Sequence, residues 1–172
     1  MKKNLSFIIF CVIMINCKSQ TSWTAKTYGS LKYSYPKEWT EIKYSETDGT
    51  KSYGSQYFTS GKTAKFSVIE APNNINETNA HNLSSEDIKT IVLGIFSPNS
   101  TFQKIENRKL AMLNAKYAKA TAITSTGMSV SSINYVVFYK NKTLLIQGIY
   151  PSKDESEFLP ILEKIIGTIK TI

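Results

Sequence analysis

The feature that most constrains the fold of this chain is a series of consecutive β segments in its second half. Strand-forming residues fill segments at about 102–112, 115–125, 128–140 and 143–150, with Leu113-Asn114 and Asn141 at the turns. Strands that follow one another through short turns pair antiparallel, because a parallel pair needs a long crossover. The sequence therefore predicts an antiparallel sheet at the centre of the fold.

Alternation of apolar and polar residues predicts further strands nearer the N-terminus. One face of the first such strand carries Leu31, Tyr33 and Tyr35. This strand is expected to end at Pro36, because proline lacks the N–H that a ladder needs, and Ile42 and Tyr44 are expected to continue its apolar face. The Asp48-Gly49 pair indicates a turn. Two more strands are predicted at about 53–59 and 65–71.

Two segments have the 3.6-residue periodicity of amphipathic helices. The first is expected to begin at Ser84, with Asp87 three residues later as in a capping box, and to end at Ser97-Pro98. The second repeats the capping pattern with Ser152 and Glu155. Their apolar stripes consist of Ile88, Ile91, Val92 and Ile95 in the first, and of Phe158, Leu162, Ile165 and Ile169 in the second. Together with the strands, these helices predict an α+β class, an antiparallel β-sheet sandwiched by helices.

The N-terminus has the organisation of an export signal. Lys2 and Lys3 precede an apolar run over residues 5–15, and Cys17 follows directly. A helix of that length reaches only about 16 Å, against about 30 Å of hydrocarbon in a bilayer. Residues 14–17, Met-Ile-Asn-Cys, resemble the lipobox of bacterial lipoproteins, in which the cysteine is acylated before the signal is removed.

This resemblance predicts the domain organisation. Residues 1–16 are expected to form a lipoprotein signal peptide, residues 17–25 a tether that begins at the lipidated Cys17, and residues 26–172 a single domain. Two alternatives remain at the sequence level. Cleavage after Ser19 would give a freely secreted domain, and an unmodified Cys17 would leave an uncleaved anchor.

Charge and cysteine content narrow the classes of function. The formal net charge is +8, yet Arg108 is the only arginine in the sequence. Arginine is the side chain that makes bidentate contacts with phosphates and bases, so no nucleic-acid partner is expected. Cys11 lies in the signal and Cys17 at its end, which leaves the predicted domain without a thiolate for a disulfide or a metal.

Few residues could take part in catalysis or metal binding, and they do not combine into a reaction centre. His81 is the only histidine and is expected at a solvated position in a polar loop. Residues 127–131, Gly-Met-Ser-Val-Ser, lack the last glycine of a nucleophile elbow and fall between two strands. Acidic residues at 46–48 and 154–157 lack the spacing of a calcium loop. We predict no catalytic residue, no metal and no cofactor.

Aromatic residues concentrate in the first third of the predicted domain. They are Tyr33, Tyr35, Trp39, Tyr44, Tyr53, Tyr57 and Phe58. Aromatic rings suit half-buried strands, so packing in the core is the first interpretation. An exposed aromatic groove that binds a ligand or a protein is the alternative.

Residues 28–39, Tyr-Gly-Ser-Leu-Lys-Tyr-Ser-Tyr-Pro-Lys-Glu-Trp, resemble the opening of PsbP-like domains. Residues 114–118, Asn-Ala-Lys-Tyr-Ala, and the apolar terminal helix after Tyr150-Pro151 are similar in position as well. The resemblance implies an antiparallel sheet sandwiched by helices. That fold is shared by photosystem extrinsic subunits, Ran-binding Mog proteins and bacterial DcrB-type envelope lipoproteins. It also implies an accessory or adaptor role and supplies no active-site residues.

The expected function is that of a membrane-anchored, non-enzymatic accessory or adaptor lipoprotein of the bacterial cell envelope. A carrier with a small-molecule or lipid pocket between sheet and helix is the alternative, and an enzyme of unknown type comes third. The membrane is the expected partner through the lipid anchor, together with an envelope protein or a small ligand. Lys18 follows the cysteine without an acidic retention or surface-export signal, so a periplasm-facing position at the outer membrane is expected.

Overall fold

The computed structural model describes residues 22–74 and 77–172, and its centre is a seven-stranded sheet. In spatial order the strands are β3 (Thr40–Thr47), β4 (Thr50–Thr59), β5 (Lys62–Pro72), β9 (Lys142–Pro151), β8 (Ser129–Tyr139), β7 (Leu113–Ile123) and β6 (Thr101–Leu110). Neighbouring strands in this sheet pair antiparallel, as the short turns predict.

A smaller sheet covers part of the large one. Its strands, in spatial order, are β1 (Trp23–Tyr28), β2 (Leu31–Pro36) and β10 (Lys170–Thr171). The outer strands β1 and β10 are absent from the sequence prediction, because each depends on pairing with β2 rather than on its own apolar pattern. Residues 23–25, expected in the tether, therefore belong to the first strand.

Helices lie on both faces of the large sheet. Helix α1 (Ser85–Leu93) packs on one face, and α2 (Glu155–Gly167) packs with the small sheet on the other. Short 3₁₀ turns at Ala80–Asn82 and Ser152–Asp154 precede them. The predicted class, an antiparallel sheet sandwiched by helices, is confirmed.

The larger hydrophobic core lies between the sheet and α2. Alternate residues of β5 and β9 point into it, among them Phe66, Val68, Leu144 and Ile146. Phe158, Leu162 and Ile165, three of the predicted apolar positions of the second helix, are buried there; the fourth, Ile169, is buried as well but follows the helix, which ends at Gly167. Full burial of each such side chain contributes about 1.5–3 kcal/mol. The space between the sheet and α2 is consequently filled by side chains.

The two predicted capping boxes have different outcomes. At α1, Ser84 Oγ accepts from the Asp87 backbone N–H at 3.1 Å, and the Asp87 carboxylate accepts from the Ser84 N–H at 2.9 Å. At α2 the prediction is wrong, because the 3₁₀ turn places Ser152 a full turn before the helix. The Ser152 hydroxyl instead hydrogen-bonds to the hydroxyls of Ser129 and Ser131 at 2.9 and 2.8 Å.

Among the described residues, three hairpin turns contain residues other than glycine with positive φ. Asp48-Gly49 and Asn141 lie in turns as predicted, Asp48 at φ 50° and Asn141 at φ 58°. The turn expected at Leu113-Asn114 lies two residues earlier, at Ala111 and Met112, whose φ values are 46° and 70°. Strand register decides this position, since pairing Leu110 with Leu113 turns both side chains towards the core.

The predicted continuity between the first two apolar strands is wrong. Strand β2 belongs to the small sheet and β3 is an edge strand of the large one. Tyr44 on β3 is 42% exposed, whereas Tyr33 and Tyr35 on β2 are buried. The chain changes sheets at the turn after Pro36, where the Trp39 N–H donates to the Pro36 carbonyl at 2.9 Å. A period-two pattern cannot reveal such a change of sheet.

The strand directions define two ends of the molecule. At the proximal end, the described chain begins at Ser22, whose carbonyl accepts from the Lys37 N–H at 2.8 Å. The hairpin turns at residues 60–61 and 124–128 lie at this same end. The distal end carries the turns at residues 48–49, 111–112 and 140–141.

Candidate functional site

Helix α1 covers only part of its face of the large sheet. Its buried residues Ile88 and Val92 pack against Val136 and Leu145 of the central strands. Towards the proximal end, the same sheet face borders an open cleft of about 420 Å³. The residues that line it are Phe58, Thr59, Gly61, Lys62, Thr63, Lys65, Met128, Val130, Ile149, Tyr150 and Pro151.

Strand register explains why apolar side chains meet in this cleft. Lys65 of β5 lies opposite Ile149 of β9, and Val130 of β8 lies opposite Pro151 of β9. Phe58 of β4 is paired with Thr63, next to Lys65 on the same face. Residues opposite one another in adjacent strands share a sheet face, so the β4–β5 hairpin, the β7–β8 hairpin and the end of β9 converge on one surface.

The rim of the cleft contains large apolar side chains in contact with solvent. Phe58 is 76% exposed and Met128 is 49% exposed, whereas Val130 and Ile149 on its floor are half-buried. The cleft is therefore open, apolar at its floor and apolar at its rim. Its volume lies within the range of about 300–1,000 Å³ that is typical of ligand and binding clefts.

Two lysines bring positive charge to the cleft. Lys62 forms an ion pair with Glu157 of α2, and this contact raises the pKa of the Lys62 ammonium through a hydrogen bond to the carboxylate. Lys65 forms no ion pair within the described residues. The site thus combines an apolar surface with one unneutralised cation.

A second hollow continues the cleft along the proximal end. It measures about 520 Å³ and is bordered by the loop at residues 96–99, the turn at residues 122–125, and Val130. Val130 lines both hollows, so they form one continuous surface. Ile123, which is 63% exposed, lies at its edge.

The predicted aromatic cluster is mostly core. Tyr33, Tyr35, Trp39 and Tyr53 are buried, and Tyr33 packs on Phe66 with ring centroids 4.9 Å apart. Phe58 alone of the predicted aromatic residues lines the cleft. Its partners Met128, Val130 and Ile149 were not predicted, because only the strand register shows that they share a surface with it.

The residues considered for catalysis occupy structural positions. His81 is half-buried rather than solvated, and its Nε2 is 2.9 Å from the carbonyl oxygen of Arg108. Ser129 and Ser131 hydrogen-bond to the Ser152 hydroxyl and belong to the first residues of strand β8, whereas residues 127–131 were expected between two strands. In residues 22–74 and 77–172, no three His, Cys, Asp or Glu side chains group closely enough to hold a metal ion. Cys17 lies outside the described residues and stays a prediction.

Arg108 and its neighbours form a stacked arrangement that the sequence did not indicate. The guanidinium carbon lies 3.7 Å from the ring centroid of Tyr117, and NH1 donates to the Tyr135 hydroxyl at 2.8 Å. Burial raises the pKa of the Tyr117 hydroxyl to about 12. The lone arginine therefore packs on aromatic rings, and Glu106 neutralises it at 2.6 Å.

A buried carboxylate cluster at the distal end was also not predicted. Glu70 is 1% exposed and accepts from the Ser30 N–H at 2.9 Å, the Tyr53 hydroxyl at 2.6 Å and Lys142 Nζ at 3.0 Å. Burial raises the pKa of the Glu70 carboxyl, but these three hydrogen bonds outweigh burial and hold that pKa below its ordinary value. Ser30 belongs to the turn before β2, so the cluster fastens the small sheet to the large one.

Comparison with solved structures decides the fold family. Cyanobacterial PsbP (CyanoP) from Synechocystis sp. PCC 6803 is similar with a TM-score of 0.65 and 10% identity, over 88% of this chain and 94% of that chain. The chain has the PsbP-like fold. The resemblance of residues 28–39 to PsbP-like domains is thus confirmed at the level of fold.

Other proteins with similar structures extend this result. The Ran-binding protein Mog1p of Saccharomyces cerevisiae has a TM-score of 0.52 and 10% identity, over 87% of this chain and 96% of that chain. A protein from Bacteroides thetaiotaomicron has a TM-score of 0.53 and 12% identity. The match covers 89% of this chain, which spans about half (49%) of that protein. At such identities the likeness shows the PsbP-like fold alone.

Comparisons by sequence do not assign the chain to a family. No family model matches the chain, and no curated protein matches it. Among the described residues, no helix combines the length and the apolar character that crossing a membrane requires. The geometry of the cleft is therefore the basis for a functional proposal.

Proposed function

We propose that this PsbP-like protein is a non-enzymatic accessory lipoprotein of the bacterial cell envelope, which binds a protein partner at the proximal cleft. Lipidation of Cys17 would hold it at a membrane, with the outer membrane and its periplasmic side as the proposed location. The observation that carries the proposal is the open apolar cleft with Phe58 and Met128 exposed at its rim. Exposed aromatic and methionine side chains around an apolar centre are typical of protein interfaces.

The filled core favours a protein partner over a carried ligand. A carrier was expected to hold its ligand between the sheet and a helix, but the α2 side is packed with buried side chains such as Leu162 and Ile146. The cleft lies on the opposite sheet face and opens to solvent. The Saccharomyces protein of this fold is described as Ran-binding, which agrees with a protein-binding use of the fold.

Photo-crosslinking in cells tests the proposal. A photo-reactive phenylalanine analogue at Phe58 should give a defined adduct with one envelope protein. The same analogue at Met112, which is 94% exposed at the distal end, is the matched control and should not give that adduct. Val130→Phe fills the cleft floor without changing a charge, and it should abolish the adduct formed from Phe58.

The outcomes separate the candidates. An adduct that persists in Val130→Phe, or that forms equally from Met112, would contradict binding in the cleft. A small-ligand carrier remains the second candidate, because the cleft volume suits a small molecule. Native mass spectrometry of the purified protein would then show a bound small molecule that Val130→Phe displaces.

The anchor has its own test. Mass spectrometry of the mature N-terminus should find an acylated Cys17 with residues 1–16 removed. Two or more acyl chains would hold the protein stably at a membrane, whereas one chain binds only marginally. A free N-terminus at residue 20 would indicate secretion instead.

A further inference from the structure

The position at which the described chain begins restricts how the domain sits at a membrane. Ser22 is fixed at the proximal end by its hydrogen bond to Lys37, and Trp23 pairs with Pro36. Residues 18–22 separate the domain from Cys17, and fully extended they span at most about 18 Å. The first described residue, Ser22, therefore stays within that distance of an acylated Cys17.

The length of the sheet excludes the inverted orientation. Strand β8 has 11 residues, which correspond to about 36 Å between the proximal and distal ends. A domain with its distal turns on the bilayer would hold Ser22 more than about 20 Å away from it, because the six-residue strand β1 runs from Ser22 towards the distal end, and this exceeds the reach of residues 18–22. The tether length thus directs the proximal end, or a side next to it, towards the lipid.

The proximal end also has exposed apolar side chains and lysines, which suit contact with a bilayer interface. Four large apolar side chains are exposed in this region: Phe58 at 76%, Ile95 at 43%, Ile123 at 63% and Met128 at 49%. They lie on separate segments at or near the turns, where single side chains can enter the headgroup region. Lys37 and Lys65, on the same end, form no ion pair within the described residues and can meet anionic headgroups.

We propose that the proximal end rests on the lipid bilayer, with the tips at Ile123 and residues 60–61 in the interface. This inference rests on the proposed acylation of Cys17. It places the cleft, which opens on the side of the sheet, at the level of the membrane surface. A partner that reaches the cleft would accordingly be part of a membrane complex.

Depth measurement in vesicles tests the orientation. The mature lipoprotein, without residues 1–16 and therefore without Cys11, is reconstituted in phosphatidylethanolamine–phosphatidylglycerol vesicles that carry bromine on the acyl chains. Cys17 is acylated in the mature protein, so Ile123→Cys, Ser60→Cys and Met112→Cys each provide one thiol for a fluorescent label. Labels at positions 123 and 60 should be quenched by about twofold or more, while the label at position 112 keeps its emission.

Each result has a defined meaning. The vesicles contain no other protein. Quenching at positions 60 and 123 but not at position 112 therefore reports that the proximal end contacts lipid. Equal quenching at position 112, or no quenching at positions 60 and 123 with acylated Cys17, would overturn the proposed orientation and leave the accessory function untouched. An unacylated Cys17 would overturn the anchor and the orientation together.

Discussion

Glu70 makes a pH-dependent contribution to stability from a buried position. Its carboxylate accepts hydrogen bonds from Ser30, Tyr53 and Lys142, and its pKa lies below the ordinary value because these bonds outweigh burial. A depressed pKa stabilises the fold above the pKa of the unfolded state, about 4.3. This contribution is lost as the pH falls through that value towards the folded pKa.

Glu70→Gln should lower the free energy of unfolding by about 2–3 kcal/mol at pH 7, because a charged acceptor is removed from three buried donors. The variant should also show a smaller decline in stability than the parent protein as the pH falls from 7 to 4, because the other carboxyls with lowered pKa values still contribute. Urea unfolding at pH 7 and pH 4 measures both effects. Glu86→Gln, at an exposed ion pair with Lys89, is the control. Parallel pH dependence in parent and Glu70→Gln would contradict this assignment.

Gly29 belongs to the same cluster and tests its close packing. Its φ is 52°, and a Cβ at this position would overlap the Glu70 carboxylate. Gly61 has a φ of 82°, but nothing lies within 4 Å of its Cβ position. Gly61→Ala should cost about 1–2 kcal/mol for the left-handed backbone alone, and Gly29→Ala should cost clearly more. Equal losses of stability for the two variants in thermal or urea unfolding would show that the Glu70 carboxylate moves aside without a free-energy penalty.

Among the elements, the two helix starts offer a direct comparison of capping. Ser84→Ala removes a capping box and should cost about 1 kcal/mol. Ser152→Ala removes only hydrogen bonds between hydroxyls and should cost about half as much. Denaturant unfolding of both variants measures the difference, with Ser85→Ala as a control on the first turn of α1. A larger loss for Ser152→Ala would contradict the contacts seen at α2.

Helices and central strands could be predicted because their signals are local. The Ser84 cap, the α2 stripe and the β7–β9 segments all follow from residue type and period. Strand β1 could not, since Trp23–Tyr28 has no clear alternation and is defined by its partner β2. The turn predicted at Leu113-Asn114 was misplaced for a related reason. Core packing of Leu110 and Leu113 overrides the local turn preference.

For the whole molecule, the sheet order predicts a gradient of local stability. Strands β8 and β9 have neighbours on both sides and lie between two cores, whereas β3 and β6 are edges. In native-state hydrogen exchange, the amides of β8 and β9 should exchange slowest and those of β3 and β6 fastest. Protection of β3 equal to that of β9 would indicate that a further element covers this edge.

The cleft depends on the arrangement of the whole sheet, which explains why the sequence could not reveal it. Phe58, Met128 and Ile149 are far apart in sequence, and no periodicity links them. They meet only because antiparallel register aligns two hairpins and the end of β9 on one sheet face. Prediction from sequence reached the aromatic residue Phe58 but not its neighbours.

The opposite placement of the two described ends of the chain has a practical consequence. The Ile172 carbonyl accepts from Tyr139 and Lys140 at the distal turn, while Ser22 lies at the proximal end. A fluorescent or epitope tag fused after Ile172 would therefore stand about 20 Å from Ser22, at the end of the domain opposite the cleft. With Cys17 acylated as proposed, such a tag would report on the compartment at a fixed height above the lipid.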